Sequence, residues 1–219
     1  MPTLRHHDTI AVLDLGDGEN RFSPDYLTEL HTHLDTVVEE GAHALVTTAT
    51  GKIWSNGLDL DWLQANNDRA AEYVEAVHTL FARVLTLPMP TVAAIGGHAF
   101  GAGAMVAMAH DYRVMRADRG YFCFPEADIR IPFTNGMAAL IQAKVTPKTA
   151  IASMTTGRRF GGADALAVDL VDAIAGEGEV VDTALALVAP LGGKDQPTMT
   201  AIKSVMFADV LDALRRGRG

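Results

Sequence analysis

The chain has 219 residues, of which 48% are hydrophobic and 21% charged, with a formal net charge of −9. That size and apolar fraction suffice for a buried core, and the absence of a Pro/Ser-rich linker, repeat or low-complexity tract indicates one main domain. The charge argues against nucleic acid and anionic membrane surfaces as partners, and an anionic ligand would need a local basic site. The single Cys123 excludes an intramolecular disulfide and a thiolate metal centre, and it reads as a small buried hydrophobe. The polar Met1 to Asp8 reads as a loose terminus without the apolar core that drives secretion. No run is apolar enough to span a bilayer, and Arg215-Arg216-Gly217-Arg218-Gly219 is not a peroxisomal address, so a cytoplasmic protein is expected.

In chain order, Ile10 to Leu15 is a short apolar strand that leaves through Gly16-Asp17-Gly18. Ser23-Pro24 opens a helix, because serine caps and proline at the first helical position loses no intrahelical bond. Leu27, Leu30, Leu34, Val37 and Val38 recur at helical spacing, and the helix stops near Gly41. Ala44 to Ala49 is the next strand, and strand–helix–strand order implies a parallel sheet with right-handed crossovers. Residues 50–67 read as irregular. Arg69 to Leu85 carries the helical stripe Val74, Val77, Leu80, Phe81 and Val84, which Pro88-Met89-Pro90 ends. Thr91 to Ile95 is a third strand, Ala102 to Ala109 a helix of small residues, and Tyr112 to Arg116 a fourth strand. Helices are predicted around 135–144, 148–156, 163–167, 180–189 and 198–214.

Two junctions lie where α/β proteins place ligands. The first is Trp54-Ser55-Asn56-Gly57-Leu58-Asp59-Leu60, and the second is Gly96 to Gly103. Gly101 and Gly103 flank Ala102 at a helix start, where free N–H groups and the positive end of the helix dipole attract developing negative charge. Small residues there also serve tight packing, and the loop has neither a phosphate-loop Lys-Ser/Thr nor dinucleotide spacing. Glu126 interrupts an apolar stretch that runs from Tyr121 to Phe133. It is either a water-facing glutamate at a helix start or a buried carboxylate, whose pKa would rise into the range useful for moving a proton.

The histidines offer no metal site. His31 and His33 are two apart on a predicted helix and point in different directions, and His6-His7 fall in the terminus. His98 lies in the second junction, lining a ligand channel or packing. Trp54, Trp62 and Phe133 are candidates for a pocket wall or for plain core. Asp59 suits loop bracing through backbone N–H groups.

Ser55-Asn56-Gly57-Leu58-Asp59-Leu60, Gly97-His98-Ala99-Phe100-Gly101-Ala102-Gly103, His110-Asp111-Tyr112-Arg113-Val114 and Phe124-Pro125-Glu126, in this order, resemble the crotonase, or enoyl-CoA hydratase/isomerase, superfamily. The resemblance spans roughly residues 10–156 and rests on the joint order and spacing of motifs that are each permissive. It implies an α/β spiral of ββα units over residues 1–156, with a helical C-terminal region over 157–219 in the same domain or used in trimerisation. It further implies an acyl-CoA thioester as substrate, no cofactor beyond the substrate's own CoA, and a homotrimer or hexamer.

By position, the backbone N–H groups of Leu58 and Ala102 would hold the thioester oxygen, with Ser55, Asn56, Gly57, Trp54, Trp62, His98, Gly101, Met105 and Phe133 around the substrate. Hydratases of the family use two glutamates. The second matches Glu126, but the first position is Met105, which would help to keep the cavity dry. One carboxylate over such a pair of donors resembles the Δ3,Δ2-enoyl-CoA isomerase branch, in which a single base moves a proton from C2 to C4. Hydration, thioester hydrolysis or decarboxylation on the same fold stand as alternatives, as does a non-catalytic acyl-CoA-binding protein. A serine hydrolase is disfavoured, since Ser55 lacks a Gly-x-Ser-x-Gly elbow. Lys52, Lys203 and the terminal arginines are candidate cations for the CoA phosphates.

Overall fold

The computed structural model describes residues 1–216, so Arg218 lies outside the described residues. The chain opens with β1 (Thr3–His7), β2 (Ile10–Asp14), α1 (Pro24–Glu39), β3 (Ala44–Thr48), β4 (Ile53–Ser55), α2 (Leu60–Ala65) and α3 (Ala70–Leu85). It continues through β5 (Thr91–Ile95), β6 (His98–Phe100), α4 (Ala102–Ala109), β7 (Tyr112–Arg116), β8 (Phe122–Cys123), α5 (Glu126–Ile129), α6 (Asn135–Gln142), α7 (Pro147–Met154) and α8 (Gly162–Ala167). The last elements are β9 (Ala173–Ala175), α9 (Val180–Val188), α10 (Gln196–Met206) and α11 (Ala208–Arg215).

Three times in succession, at β3–β4, β5–β6 and β7–β8, a longer strand is followed by a shorter one and then by helix. The longer strands enter a six-stranded sheet of order β1-β2-β3-β5-β7-β9, and the shorter ones form a second sheet of order β4-β6-β8. Every pairing is parallel except β1 with β2. Each turn of the spiral thus gives one strand to each sheet, as the resemblance implied.

The predicted strands read as unbroken apolar runs because the large sheet is covered on both faces, as parallel sheets generally are. All of Ala44–Thr48 and Thr91–Ile95 are buried. One face packs against α1, α3 and α4 through Leu30, Leu34, Phe81 and Met108, and the other packs Val46, Val92 and Val114 against Val180, Ala184 and Val188 of α9. Helix α4 is buried on every side, which is why its eight residues carry no polar stripe. In α1 the Ser23 hydroxyl accepts from the Tyr26 N–H, and Leu27, Leu30, Leu34 and Val37 are the buried positions.

Four expectations need correction. His6 and His7 belong to β1, paired residue by residue with β2, so the N-terminus is an edge strand and not a loose arm. The span read as irregular contains β4 and α2, elements too short to show a period. The C-terminal region is not only helical, because β9 pairs with β7 and extends the large sheet. The final helix breaks at Phe207, whose buried ring lies 4.9 Å from the Lys144 Nζ and turns the chain so that α11 packs on α6 and α3.

Candidate active site

The loop between β4 and α2 is held through its backbone groups, by the side chains of Asn20, Ser55, Asp59 and Tyr73 and by the Glu19 carbonyl. Asn20 Nδ2 donates to the carbonyls of Ile53 and Trp54, at 3.2 and 3.0 Å. Ser55 Oγ donates to the Asn20 carbonyl at 2.7 Å and accepts the Gly57 N–H at 3.0 Å. The Asn56 N–H donates to the Glu19 carbonyl at 3.0 Å, and the Asp59 N–H to the Tyr73 hydroxyl, which itself donates to the Phe22 carbonyl, both at 2.8 Å. Asp59 caps α2 by accepting the Trp62 N–H at 3.1 Å, the bracing role expected of it. Residues 56, 57 and 59 therefore spend their N–H groups within the protein. The Leu58 N–H alone in this run has no partner among the described residues.

The second loop reaches the same place from β6. The Gly101 N–H donates to the Cys123 carbonyl at 3.0 Å, and Gly101 (φ 52) then turns the chain into α4 without a capping side chain. The Ala102 N–H is left unpaired among the described residues, as a first-turn N–H must be unless something outside the helix accepts it. Gly57, at φ 74, brings the two loops together. A Cβ on it would lie 2.6 Å from the nitrogens of both Ala102 and Gly103, so only glycine permits this approach of backbone to backbone. Two free donors thus project from adjacent loops, one of them at the positive end of a helix.

Glu126 begins α5 directly across from them. A Cβ on Gly101 would lie 3.3 Å from Glu126 Oε1. The residue is 8% exposed and its Oε2 has no hydrogen-bond partner. Burial pushes its pKa up to about 7, against a small opposing effect of the backbone at its own position. It is therefore neither the water-facing glutamate of the alternative nor a salt-bridged one.

These groups line a cavity of about 580 Å³ together with Asn56, His98 and Phe100. His98 stacks on Phe100 with ring centroids 5.2 Å apart. Its pKa is lowered first by burial and then by the positive charges of Lys52, Arg119 and Arg159. Those three cations have no ion-pair partner among the described residues. Lys52 and Arg159 line the cavity. The other carboxylate at the cavity, Asp61, is 85% exposed and held at 2.6 Å by Arg21. Cys123 also touches the cavity, but burial raises its thiol pKa to about 11 and its Sγ donates to the Gly157 carbonyl at 3.3 Å, so it is not a nucleophile.

Other expected wall residues lie elsewhere. Trp54 is fully buried behind the loop, edge-on to His110 at 6.4 Å. Ser55 braces the loop with no exposed surface, and Met105 is wholly buried in α4 and forms no part of the cavity wall. Trp62 faces α1 and α3, packed on Tyr73 at 5.0 Å with Arg69 above its ring. Phe133 lines a neighbouring depression. Lys203 is buried, donating to Asp111 and the Met89 carbonyl, and Arg215 and Arg216 lie within 3.8 Å of Asp212, so none of these is a free cation. Sequence reasoning did not single out Arg159, Ile129 and Ile131, since nothing in their spacing sets them apart, nor Phe100, which it read only as part of the second motif.

The match to known families decides the ancestry of this arrangement. The model of the enoyl-CoA hydratase/isomerase family matches residues 5–219. The chain belongs to that family. A similar relative is the peroxisomal enoyl-CoA delta isomerase 2 of Arabidopsis thaliana, 36% identical over 189 residues that cover 82% of this chain and 79% of that one. An enoyl-CoA hydratase from Mycobacterium marinum superposes with a TM-score of 0.89 at 27% identity, covering 99% of this chain and 95% of its own. The human mitochondrial delta3-delta2-enoyl-CoA isomerase gives 0.92 at 24% identity, covering 99% and 87%, and attests to the shared crotonase fold. Members of the enoyl-CoA hydratase/isomerase family act on acyl-CoA thioesters.

Proposed function

We propose that the chain isomerises a 3-enoyl-CoA to the trans-2-enoyl-CoA with Glu126 as its single base. The observation that carries this reading is one buried carboxylate, its Oε2 unpartnered and its pKa about 7, beside two backbone donors that have no partner among the described residues. In the proposed reaction the thioester oxygen accepts from the Leu58 and Ala102 N–H groups. Ionised Glu126 removes a proton from C2, and the electron pair spreads over a dienolate whose negative oxygen those donors stabilise. Protonated Glu126 then returns the proton at C4 as the double bond settles between C2 and C3. No water enters the product, and the carboxylate ends as it began.

A pKa near 7 suits both halves, since the base must be ionised for the first step and protonated for the second. Two fixed main-chain donors are each worth about 10²–10³ in rate where charge develops on oxygen. Hydration would call for a second acid–base group to deliver water, and Asp61 is exposed and committed to Arg21. The anionic CoA end is assigned to Lys52 and Arg159, the free cations of the cavity wall.

The test is turnover of 3-hexenoyl-CoA and of crotonyl-CoA by the wild type and by Glu126→Gln, following conjugated product and hydration separately. Isomerisation without hydration, lost in the variant, is expected. Hydration that survives Glu126→Gln would remove Glu126 as the base, and activity on neither substrate would point to another reaction of the family or to a binding role.

A further inference from the structure

Helix α4 carries the Ala102 donor at its first position, and its eight residues are alanine, glycine, methionine and valine only. No side chain of α4 has a nitrogen or oxygen with which to bond its surroundings, so its place along its own axis depends on backbone groups at its ends. The N-terminal end has no capping side chain, and its first N–H groups bond nothing among the described residues. Contact there is close, since a Cβ on Gly103 would lie 2.4 Å from the Ser55 carbonyl oxygen. Such contact limits how near α4 comes to the loop without attaching it. Among the described residues, hydrogen bonds hold α4 to the rest of the fold only at its C-terminal end.

His110 and Lys144 build that attachment. The His110 ring donates from Nδ1 to the Val106 carbonyl at 2.9 Å, so its Nε2 accepts the Thr47 hydroxyl of β3 at 2.8 Å, and burial keeps the ring neutral by lowering its pKa to about 4. The His110 carbonyl, just beyond the last turn, accepts Lys144 Nζ at 3.0 Å and Arg113 Nη1 at 3.3 Å. Arg113 is shared, since its Nε donates to the Leu170 carbonyl at 2.8 Å and its Nη2 pairs with Asp172 at 3.1 Å. Lys144 follows α6 directly and spends its Nζ on the His110 carbonyl, with the Phe207 ring against its other side. Asp111 and Asp172, whose charges reach it, are taken by Lys203 and Arg113. Burial lowers the Lys144 pKa to about 8, which leaves an ammonium at neutral pH, the charge that suits the negative end of a helix.

Helix α4 is buried on every side and about 12 Å long, so movement at one end is passed to the other. We propose that Lys144 is a positioning residue for the reaction: by bonding the His110 carbonyl it sets the axial position of α4, and with it the place where the Ala102 N–H meets the thioester oxygen. This rests on the reading above, which gives that oxygen to Ala102. Lys144 does not line the cavity. Its effect is exerted through α4 and is greatest when charge develops on the oxygen, where donor geometry counts most.

The test pairs kcat and KM for 3-hexenoyl-CoA with the absorption of bound 2,4-hexadienoyl-CoA, whose band moves to the red as donors polarise the conjugated carbonyl. Lys144→Met, nearly as long but without the donor, should lower kcat about tenfold, a part of the 10²–10³ that a whole lost donor costs, and should shrink the red shift. KM and the Kd of saturated hexanoyl-CoA should change by less than about twofold. Lys144→Arg, which keeps charge and donor, should restore most of both signals. Lys203→Gln disturbs the same buried cluster at Asp111 and the Met89 carbonyl without touching α4, so it should lower stability yet keep kcat and the red shift. If Lys144→Met does not fold, Lys144→Gln, uncharged and one atom shorter, takes its place in the comparison. Native kcat and red shift in the Lys144 variant, or a loss that Lys203→Gln reproduces, would overturn the proposal and leave the isomerase reading standing. A red shift that the Lys144 variant loses, with no turnover of a 3-enoyl ester even by the wild type, would uphold the role of Lys144 at the oxygen site and overturn the isomerase reading. A wild type that shifts the dienoyl band not at all would overturn both.

Discussion

Replacing Glu126 with glutamine should make the protein more stable above neutral pH while abolishing its activity. The carboxyl group is buried with one oxygen unpartnered, and its pKa is raised from 4.5 to about 7. Between these values the unfolded chain is ionised at this position while the folded one still holds its proton. The unfolded state therefore binds fewer protons, and stability falls as pH rises through the window, levelling off above about 7. At about 1.4 kcal/mol for each pH unit, the full loss is about 3.5 kcal/mol, an upper bound because local relaxation admits water to an ionised carboxylate. Glutamine has nearly the same shape and no charge to bury, so this slope should vanish.

Urea unfolding of both proteins at pH 5 and pH 8.5 checks the reasoning, because the difference between their unfolding free energies should shift by about 2–3 kcal/mol in favour of the variant as pH rises. Kinetics should report the same group. In the wild type, kcat/KM should rise about tenfold per pH unit below 7 and then reach a plateau, since the free enzyme must carry the ionised base. Parallel stability profiles for the two proteins would refute the burial argument. A kinetic pKa near 4.5 would refute the assignment of the base.

Gly57→Ala places a methyl group 2.6 Å from two backbone nitrogens at a φ of 74, so the loops must separate; kcat should fall by about 10² or more while circular dichroism keeps the native helix content. Lys52→Ala combined with Arg159→Ala removes the free cations of the cavity wall and should raise KM for CoA esters about tenfold and flatten its salt dependence, leaving kcat near wild type; an unchanged KM at low salt would place the phosphates elsewhere.

Much of this protein was legible in one dimension because its signals are local. The cap of α1 and the stripes of α1 and α3 depend on neighbours within a few residues, and Ser23-Pro24 and Leu27 to Val37 do in the structure what their spacing predicts. The motif order that ends at Phe124-Pro125-Glu126 likewise pointed to the family, which the match over residues 5–219 bears out. The elements that escaped are those whose existence depends on distant partners. Strands β4, β6 and β8 have two or three residues each and are strands only because the spiral stacks them. Chain order also could not show that Trp54, Ser55 and Met105 are buried while Ile53 of the same strand and Ala102 of the same helix line the cavity, since which face of an element meets the cavity depends on what packs against it.

The sequence by itself determined the residue types at the site: glycines where two backbones meet, and one glutamate in an apolar run. Only the tertiary structure decided their chemistry. Glu126 has a pKa near 7 because folding withdraws it from water and leaves Oε2 without a partner. The Leu58 and Ala102 N–H groups meet no acceptor among the described residues, whereas the Asn56, Gly57, Asp59 and Gly101 N–H groups are each paired by distant parts of the fold or by their own loop. Solvation and hydrogen-bond partnership are properties of surroundings assembled from distant parts of the chain, and no local spacing encodes them.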